Sequence, residues 1–185
     1  MRATGDRVDF LVRVVGRATA MMAKMKEGED ILATGPLGKP LPELEDPVLV
    51  AGGIGVVPLA FYAARHGGRL LWGLKEPAPG LEAVPGSLVH ETTYETGSGT
   101  VVDLVAGKYA HERSYIACGP VPMFRALLDL VPRERVILLA EGMMACGVGI
   151  CLGCALPRAG GGFLRTCTEG PWFRAHDVDL GRFLG

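Results

Sequence analysis

Excess charge is the first thing this sequence lacks. Nineteen basic and twenty acidic residues leave a formal net charge of −1 across 185 residues. No basic surplus is available to neutralise phosphates, which argues against a nucleic-acid partner. Histidine is also sparse: His66, His90, His111 and His176 show no mutual spacing and no evident carboxylate partner, and read as surface or helix-end residues. No nucleophile–base arrangement is visible, so hydrolytic chemistry has no support. Internal repeats are absent, and the amino terminus does not read as a signal peptide. Two uncharged stretches, 47–64 and 142–157, stand out. Gly52, Gly53, Gly55 and Pro58 break the first, and the second carries three cysteines and falls short of the ~20 residues a membrane span needs. A soluble, cytoplasmic protein is the expectation.

Glycine is what the sequence has in surplus. Its 27 glycines are about 15% of the chain, roughly twice the usual ~7%. They follow no Gly-X-Y period and sit among abundant Val, Leu and Ile, which excludes collagen and disorder. Several places must therefore bring backbone close to something. Cysteine narrows what that is. Four of the five cysteines lie between Cys146 and Cys167. An odd total and a C-x2-C pair argue against a secreted disulfide framework and for thiolates that hold a metal in a reducing compartment.

Along the chain, residues 7–15 read as a strand. A helix follows from Gly16-Arg17-Ala18-Thr19 and closes at Gly28, and a short strand spans 30–34 before the turn Gly35-Pro36-Leu37-Gly38. Prolines 40, 42 and 47 mark an extended connector. From Val48 the pattern becomes strands at 48–51, 69–74, 88–91, 114–117 and 135–140, with helices over 57–66, 102–109 and 121–130. That alternation predicts a doubly wound, mostly parallel α/β sheet with helices on both faces. After Glu141 the periodicity fails among glycines and cysteines. A segment that cannot build its own core points to a metal centre as its organiser. Three units follow: 1–44, 45–140 and 141–185.

Cys146, Cys151, Cys154 and Cys167 are spaced C-x4-C-x2-C-x12-C. Three thiolates on one tight loop plus a distant fourth suit a 2Fe-2S cluster, since the x4–x2 run is that of plant-type ferredoxins. Gly147, Gly149 and Gly153 would let the loop wrap and aim N–H groups at sulfur. Structural zinc is the rival, although it commonly uses two separated C-x2-C pairs and only one is present. Elsewhere, Gly52, Gly53 and Gly55 directly follow a strand and precede a helix, a geometry that presents N–H groups to a dinucleotide pyrophosphate. Cys118 and Gly119 end another strand at the same sheet edge and form the opposite arm of such a crevice. Glu76, after the next strand, is placed for a ribose hydroxyl and favours NAD, while the adjacent Lys75 argues the other way. Met21, Met22 and Met25 read as helix packing, and Met143 and Met144 as cover for the cysteine loop.

Together the blocks LVRVVGRAT (11–19), GPLG (35–38), AGGIGVVPL (51–59), CGPVPM (118–123), EGMMACGVGICLGCALP (141–157) and CTEGPWF (167–173) resemble the electron-transfer subunits of NAD-linked bacterial dihydroorotate dehydrogenase, within the ferredoxin–NADP reductase-like proteins. The resemblance covers nearly the whole chain. It implies a β-barrel remnant that binds FAD, an NAD-type α/β domain and a small 2Fe-2S domain. Leu11, Val12, Arg13, Ala18 and Thr19 would then contact FAD, with Arg13 facing the flavin or its phosphates and the turn at Ala18-Thr19 holding the pyrophosphate. Ala18 stands where the family usually has glycine. The match starts inside the barrel, so an Arg-x-x-Ser-type flavin motif lies outside it, and an open barrel exposes sheet edges unless a partner covers them. NAD(H) would be the substrate, and the cluster would exchange single electrons with the FMN of a dihydroorotate dehydrogenase catalytic subunit in a hetero-oligomer of the pyrimidine pathway. Val148, Ile150 and Leu152 would lie near that partner. Two alternatives stay open: a reductase subunit serving a hydrogenase or ferredoxin:NADP chemistry, and a zinc-stabilised nucleotide-binding module.

Overall fold

The run Val48-Leu-Val-Ala-Gly52 is apolar on both sides of its pleat, which suits only a strand covered on both faces. In the computed structural model, which describes residues 3–4, 7–77 and 81–183, it is the central strand β3 (Val48–Gly52), with Val48–Ala51 fully buried. The preceding elements are small: β1 (Ala3–Thr4), β2 (Arg7–Val8) and helix α1 (Arg17–Met22). After β3 come α2 (Val56–His66), β4 (Arg69–Leu74), β5 (Val89–Tyr94), α3 (Val101–Leu104), β6 (Tyr115–Cys118), α4 (Val121–Leu130) and β7 (Val136–Leu139). A hairpin of β8 (Ala155–Pro157) and β9 (Phe163–Arg165) leads into α5 (Thr166–Glu169) and β10 (Trp172–Arg174).

Six strands form one sheet in the order β10-β7-β6-β3-β4-β5. Every pairing from β7 to β5 is parallel, and β10 adds antiparallel at the β7 edge. Alternation of side chains divides the core between two faces. Leu49, Ala51, Leu70, Trp72, Ile116 and Ile137 pack on the side of α2. Val48, Val50, Leu71, Tyr115, Ala117 and Leu138 pack with Val101, Phe124 and Leu127 of α3 and α4. The chain leaves β3 toward β4 and β5, then returns to its other side at β6. The reversal opens a crevice at the carboxyl ends of β3 and β6, the position where open α/β sheets bind ligands.

The cysteine-bearing segment is organised differently from the sequence expectation. Leu156, Leu164, Phe173, Ala175, Val178, Leu180 and Phe183 all enter the core shared with α4 and β7. Arg125 of α4 donates through its guanidinium to the carbonyls of Leu180 (2.7 Å) and Phe183 (3.3 Å). The apolar residues are too scattered along this segment to show a period, yet each meets an existing core. Strands β8 to β10 and α5 were therefore invisible to periodicity.

The early residues differ too. Only Arg7–Val8 of the expected 7–15 strand pairs in a ladder, residues 30–34 form no strand, and no closed barrel exists among the described residues. A strand needs a neighbouring strand to share its N–H and C=O groups, and among the described residues no strand ladder includes 9–15. The helix expected to reach Gly28 stops at Met22, because none of its residues is buried and short helices owe their stability to packing. The helix expected at 102–109 begins at Val101 and widens after Leu104 into a π-turn, Val105–Tyr109. No helix among the described residues is long and apolar enough to cross a membrane.

Candidate redox site

The two arms anticipated at the sheet edge meet. Ala51 is in register with Cys118, so Gly52 and Gly119 follow at the same level. A Cβ on Gly119 would stand 3.0 Å from the Gly52 Cα, and one on Gly52 would stand 2.8 Å from the Met123 Sδ. Side chains are excluded where the arms touch. Gly55 caps the amino end of α2, and a Cβ there would strike the Cys118 carbonyl and stand 3.1 Å from its Sγ. Sequence reasoning missed Trp72, whose indole N–H donates to the Gly53 carbonyl at 2.9 Å and holds the turn from β4. A polar-tipped aromatic on a strand beside a glycine turn was the available signal. Cys118 is buried, and burial, with the Glu141 charge adding, pushes its thiol up to about 12. Its protonated form is thereby favoured, and it packs with the core on the α2 side.

Those four are brought together as two pairs. The Cys154 and Cys167 sulfurs are 3.3 Å apart in a buried pocket, where Cys154 follows the exposed loop and Cys167 sits in α5. The backbone N–H of Cys151 donates to the Cys146 sulfur (3.5 Å), and the Gly153 N–H to the Cys151 sulfur (3.4 Å). Cys146 is half-buried and Cys151 exposed. Among the described residues no three such side chains converge on a single point. Left-handed backbone at Gly147, Gly149 and Leu152 turns the loop tightly. At Leu152 that conformation costs about 1–2 kcal/mol.

The loop favours thiolates. N–H groups of Cys151, then Val148 and Ile150, and the Cys151 thiol lower Cys146 to about 6. Within the buried pair, the Cys167 N–H and thiol lower Cys154, while Cys167 is raised because it shares its proton with Cys154. The Gly149 N–H also reaches the Cys167 sulfur. Four sulfurs with preset N–H donors fit an iron–sulfur cluster, whose sulfurs accept such bonds.

The flavin-side residues are less gathered. Leu11, Val12 and Arg13 lie on backbone without regular structure, not on the expected strand, and Arg13 is exposed. Val12 and Met22 of α1 both line an open groove of ≈ 400 Å³, with Phe10, Met25 and Ile31. Ala18 and Thr19 lie in the first turn of α1. The Thr19 hydroxyl accepts from the N–H groups of Val15 (3.0 Å) and Gly16 (3.1 Å), so it closes its own turn. The methionines of this region are exposed, contrary to a packing role. Glu76 and Lys75 lie exposed after β4. His66, expected to lack a carboxylate partner, has Glu43 3.5 Å from its Nδ1.

The model describing the iron–sulfur cluster binding domain of dihydroorotate dehydrogenase B matches residues 141–179. The dihydroorotate dehydrogenase B (NAD(+)) electron transfer subunit of Caldanaerobacter subterraneus is 32% identical over 187 residues, 94% of this chain and 76% of that protein. The subunit of the same name from Bacillus caldolyticus is 32% identical, over 92% of this chain and 74% of its own length. Among solved structures, one reported for an NADH-dependent reduced ferredoxin-NADP oxidoreductase, in work on flavin-based electron bifurcation, superposes with a TM-score of 0.75. Its identity is 26%, over 94% of this chain and 69% of that one. Identity at this level across nearly the whole chain, with the cysteine segment matched, places the chain in the family of dihydroorotate dehydrogenase B electron transfer subunits.

Proposed function

We propose that this chain relays electrons between NAD(H) and a partner dehydrogenase, with its three stretches 1–44, 45–140 and 141–185 serving a flavin, a nicotinamide dinucleotide and a 2Fe-2S cluster. The observation that carries the reading is the arrangement of cysteine sulfurs as two pairs. A single tetrahedral zinc needs four sulfurs around one point, whereas a centre with two irons needs two sulfurs at each. On this reading Cys146 and Cys151 would hold one iron, and Cys154 and Cys167 the other.

Bound cofactors supply the redox chemistry: hydride exchange between nicotinamide and FAD, and one-electron exchange at the cluster. The chain's residues supply position. Gly52, Gly53 and Gly55 admit the dinucleotide close to the backbone at the amino end of α2. Cys118 and Gly119 form the facing wall, and the neutral Cys118 thiol presents no charge there. Leu11, Val12 and Arg13 line the flavin side with the turn at Ala18-Thr19. The loop N–H groups favour thiolate over thiol at Cys146. Met143 before that loop and Val148, Ile150 and Leu152 on it are exposed, an apolar rim suited to the FMN-containing dihydroorotate dehydrogenase catalytic subunit. Such a complex belongs in the reducing cytoplasm, where free thiols persist.

The test is anaerobic purification alone and with the catalytic subunit. Visible absorption that bleaches with dithionite, together with NAD-dependent orotate formation by the complex, is expected. A colourless protein with stoichiometric zinc refutes the reading. The similarity to a reduced ferredoxin-NADP oxidoreductase supports a second reading, in which ferredoxin replaces the dehydrogenase as partner. Ferredoxin reduction without any stimulation of orotate formation would select it.

A further inference from the structure

Residues 37–40 connect the flavin-side stretch to the first strand of the sheet, and they do not run free. The Lys39 N–H donates to the Gly170 carbonyl at 2.6 Å, and the Trp172 indole N–H donates to the Pro40 carbonyl at 2.8 Å. The Lys39 ammonium lies 4.5 Å over the Trp172 ring, a cation–π contact. Gly38 has φ +74, and a Cβ there would strike the Gly170 carbonyl. Trp172 is itself anchored, because β10 pairs with β7 at Leu139. One residue earlier, the Leu37 Cδ1 stands 3.1 Å from where a Cβ of Gly147 would be. Its methyl therefore rests on the backbone of the residue that follows Cys146.

We propose that residues 37–40 form a strap, gripped by Gly170 and Trp172, that positions the cysteine loop through the contact of Leu37 with Gly147. Leu37 is a positioning residue, not a ligand. The proposal rests on the cluster reading for its electrochemical consequence only. A 2Fe-2S centre with four thiolates gains negative charge on reduction, so a loop loosened at Gly147 opens its sulfurs to water, which favours the reduced state and raises the potential. The strap also ties the start of the connector to the cluster loop, so their spacing depends on Trp172.

The experiment compares L37A, L37M and W172F with the parent chain, by redox titration of the cluster and by amide hydrogen exchange. In L37A iron content stays at the parent level, the potential shifts upward, and the amides of 147–151 exchange faster. L37M restores both, which a general loss of stability does not explain. W172F keeps a ring beneath Lys39 but loses the donor to Pro40. Its Lys39 amide exchanges about tenfold faster, the loss of roughly one hydrogen bond, and the potential moves in the same direction. Parent-like potential and loop protection in L37A overturn the proposal, as does a loosened Lys39 amide in W172F with an unchanged loop. Should the protein bind no iron, the relay reading fails, while the exchange measurements on the same chain still decide the strap.

Discussion

Replacing Leu156 by alanine tests whether the cysteine segment is held by core packing or by its metal. Leu156 is fully buried in β8, pairs with Leu164 across the hairpin, and lies two residues after Cys154. The change removes three carbons, about 0.8 kcal/mol each or roughly 2.4 kcal/mol of transfer free energy. Shared packing from α4, β7 and β9 limits collapse into the space, so a cavity term brings the cost to about 3–4 kcal/mol. For a chain of this size each kcal/mol lowers Tm by about 2–4 °C, so a fall of roughly 6–16 °C is expected. The assay is thermal melting by far-ultraviolet circular dichroism on metal-free protein. Cys151→Ser, at an exposed position outside the core, serves as the contrast and shifts stability by no more than about 0.5 kcal/mol. A Leu156→Ala melt within ~2 °C of the parent would refute the shared-core argument. Loss of the sheet's signal on chelation alone would refute it as well.

Cys154→Ser abolishes the dithionite-bleachable absorption, whereas Cys118→Ser leaves it intact, since Cys118 lies with the glycine turn and not with the other cysteines. Gly55→Val drives a side chain into the Cys118 carbonyl and weakens NADH binding at least about tenfold in a fluorescence titration, equivalent to ~1.4 kcal/mol. Unchanged affinity would remove the crevice from the dinucleotide site. At the opposite end of the sheet, Arg69 donates to Glu112 at 2.7 Å, and that bond holds the Glu112 carboxyl below its ordinary range. Because the folded pKa is the lower one, this stabilisation is present above the ordinary carboxylate pKa and is lost as pH falls through the depressed value. Glu112→Gln therefore lowers Tm near neutral pH, and the gap from the parent closes on acidification; a gap independent of pH would contradict the assignment.

Much of this molecule is legible locally. The strand-and-helix alternation from Val48 to Leu139 announces the parallel sheet because burial on both faces forces uninterrupted apolar runs. The glycine turn at 52–55 and the 146–154 loop are visible because their chemistry lies within a few consecutive residues. Spacing alone leaves zinc and iron both open, and it does not say which cysteine Cys167 joins. Nor does apolar periodicity reveal β10, since Trp172, Phe173 and the residues after them read as scattered until β7 offers an edge and α4 a face. The contacts that place the site join distant stretches: Trp72 to Gly53 across 19 positions and Trp172 to Pro40 across 132. Residue order alone determined the elements and the donor set, because propensity, turn chemistry and ligand type act over a few neighbouring residues. Only the tertiary structure decided how sulfurs pair, which core the cysteine segment joins and what grips the connector, because those depend on surfaces that exist only once the sheet has formed.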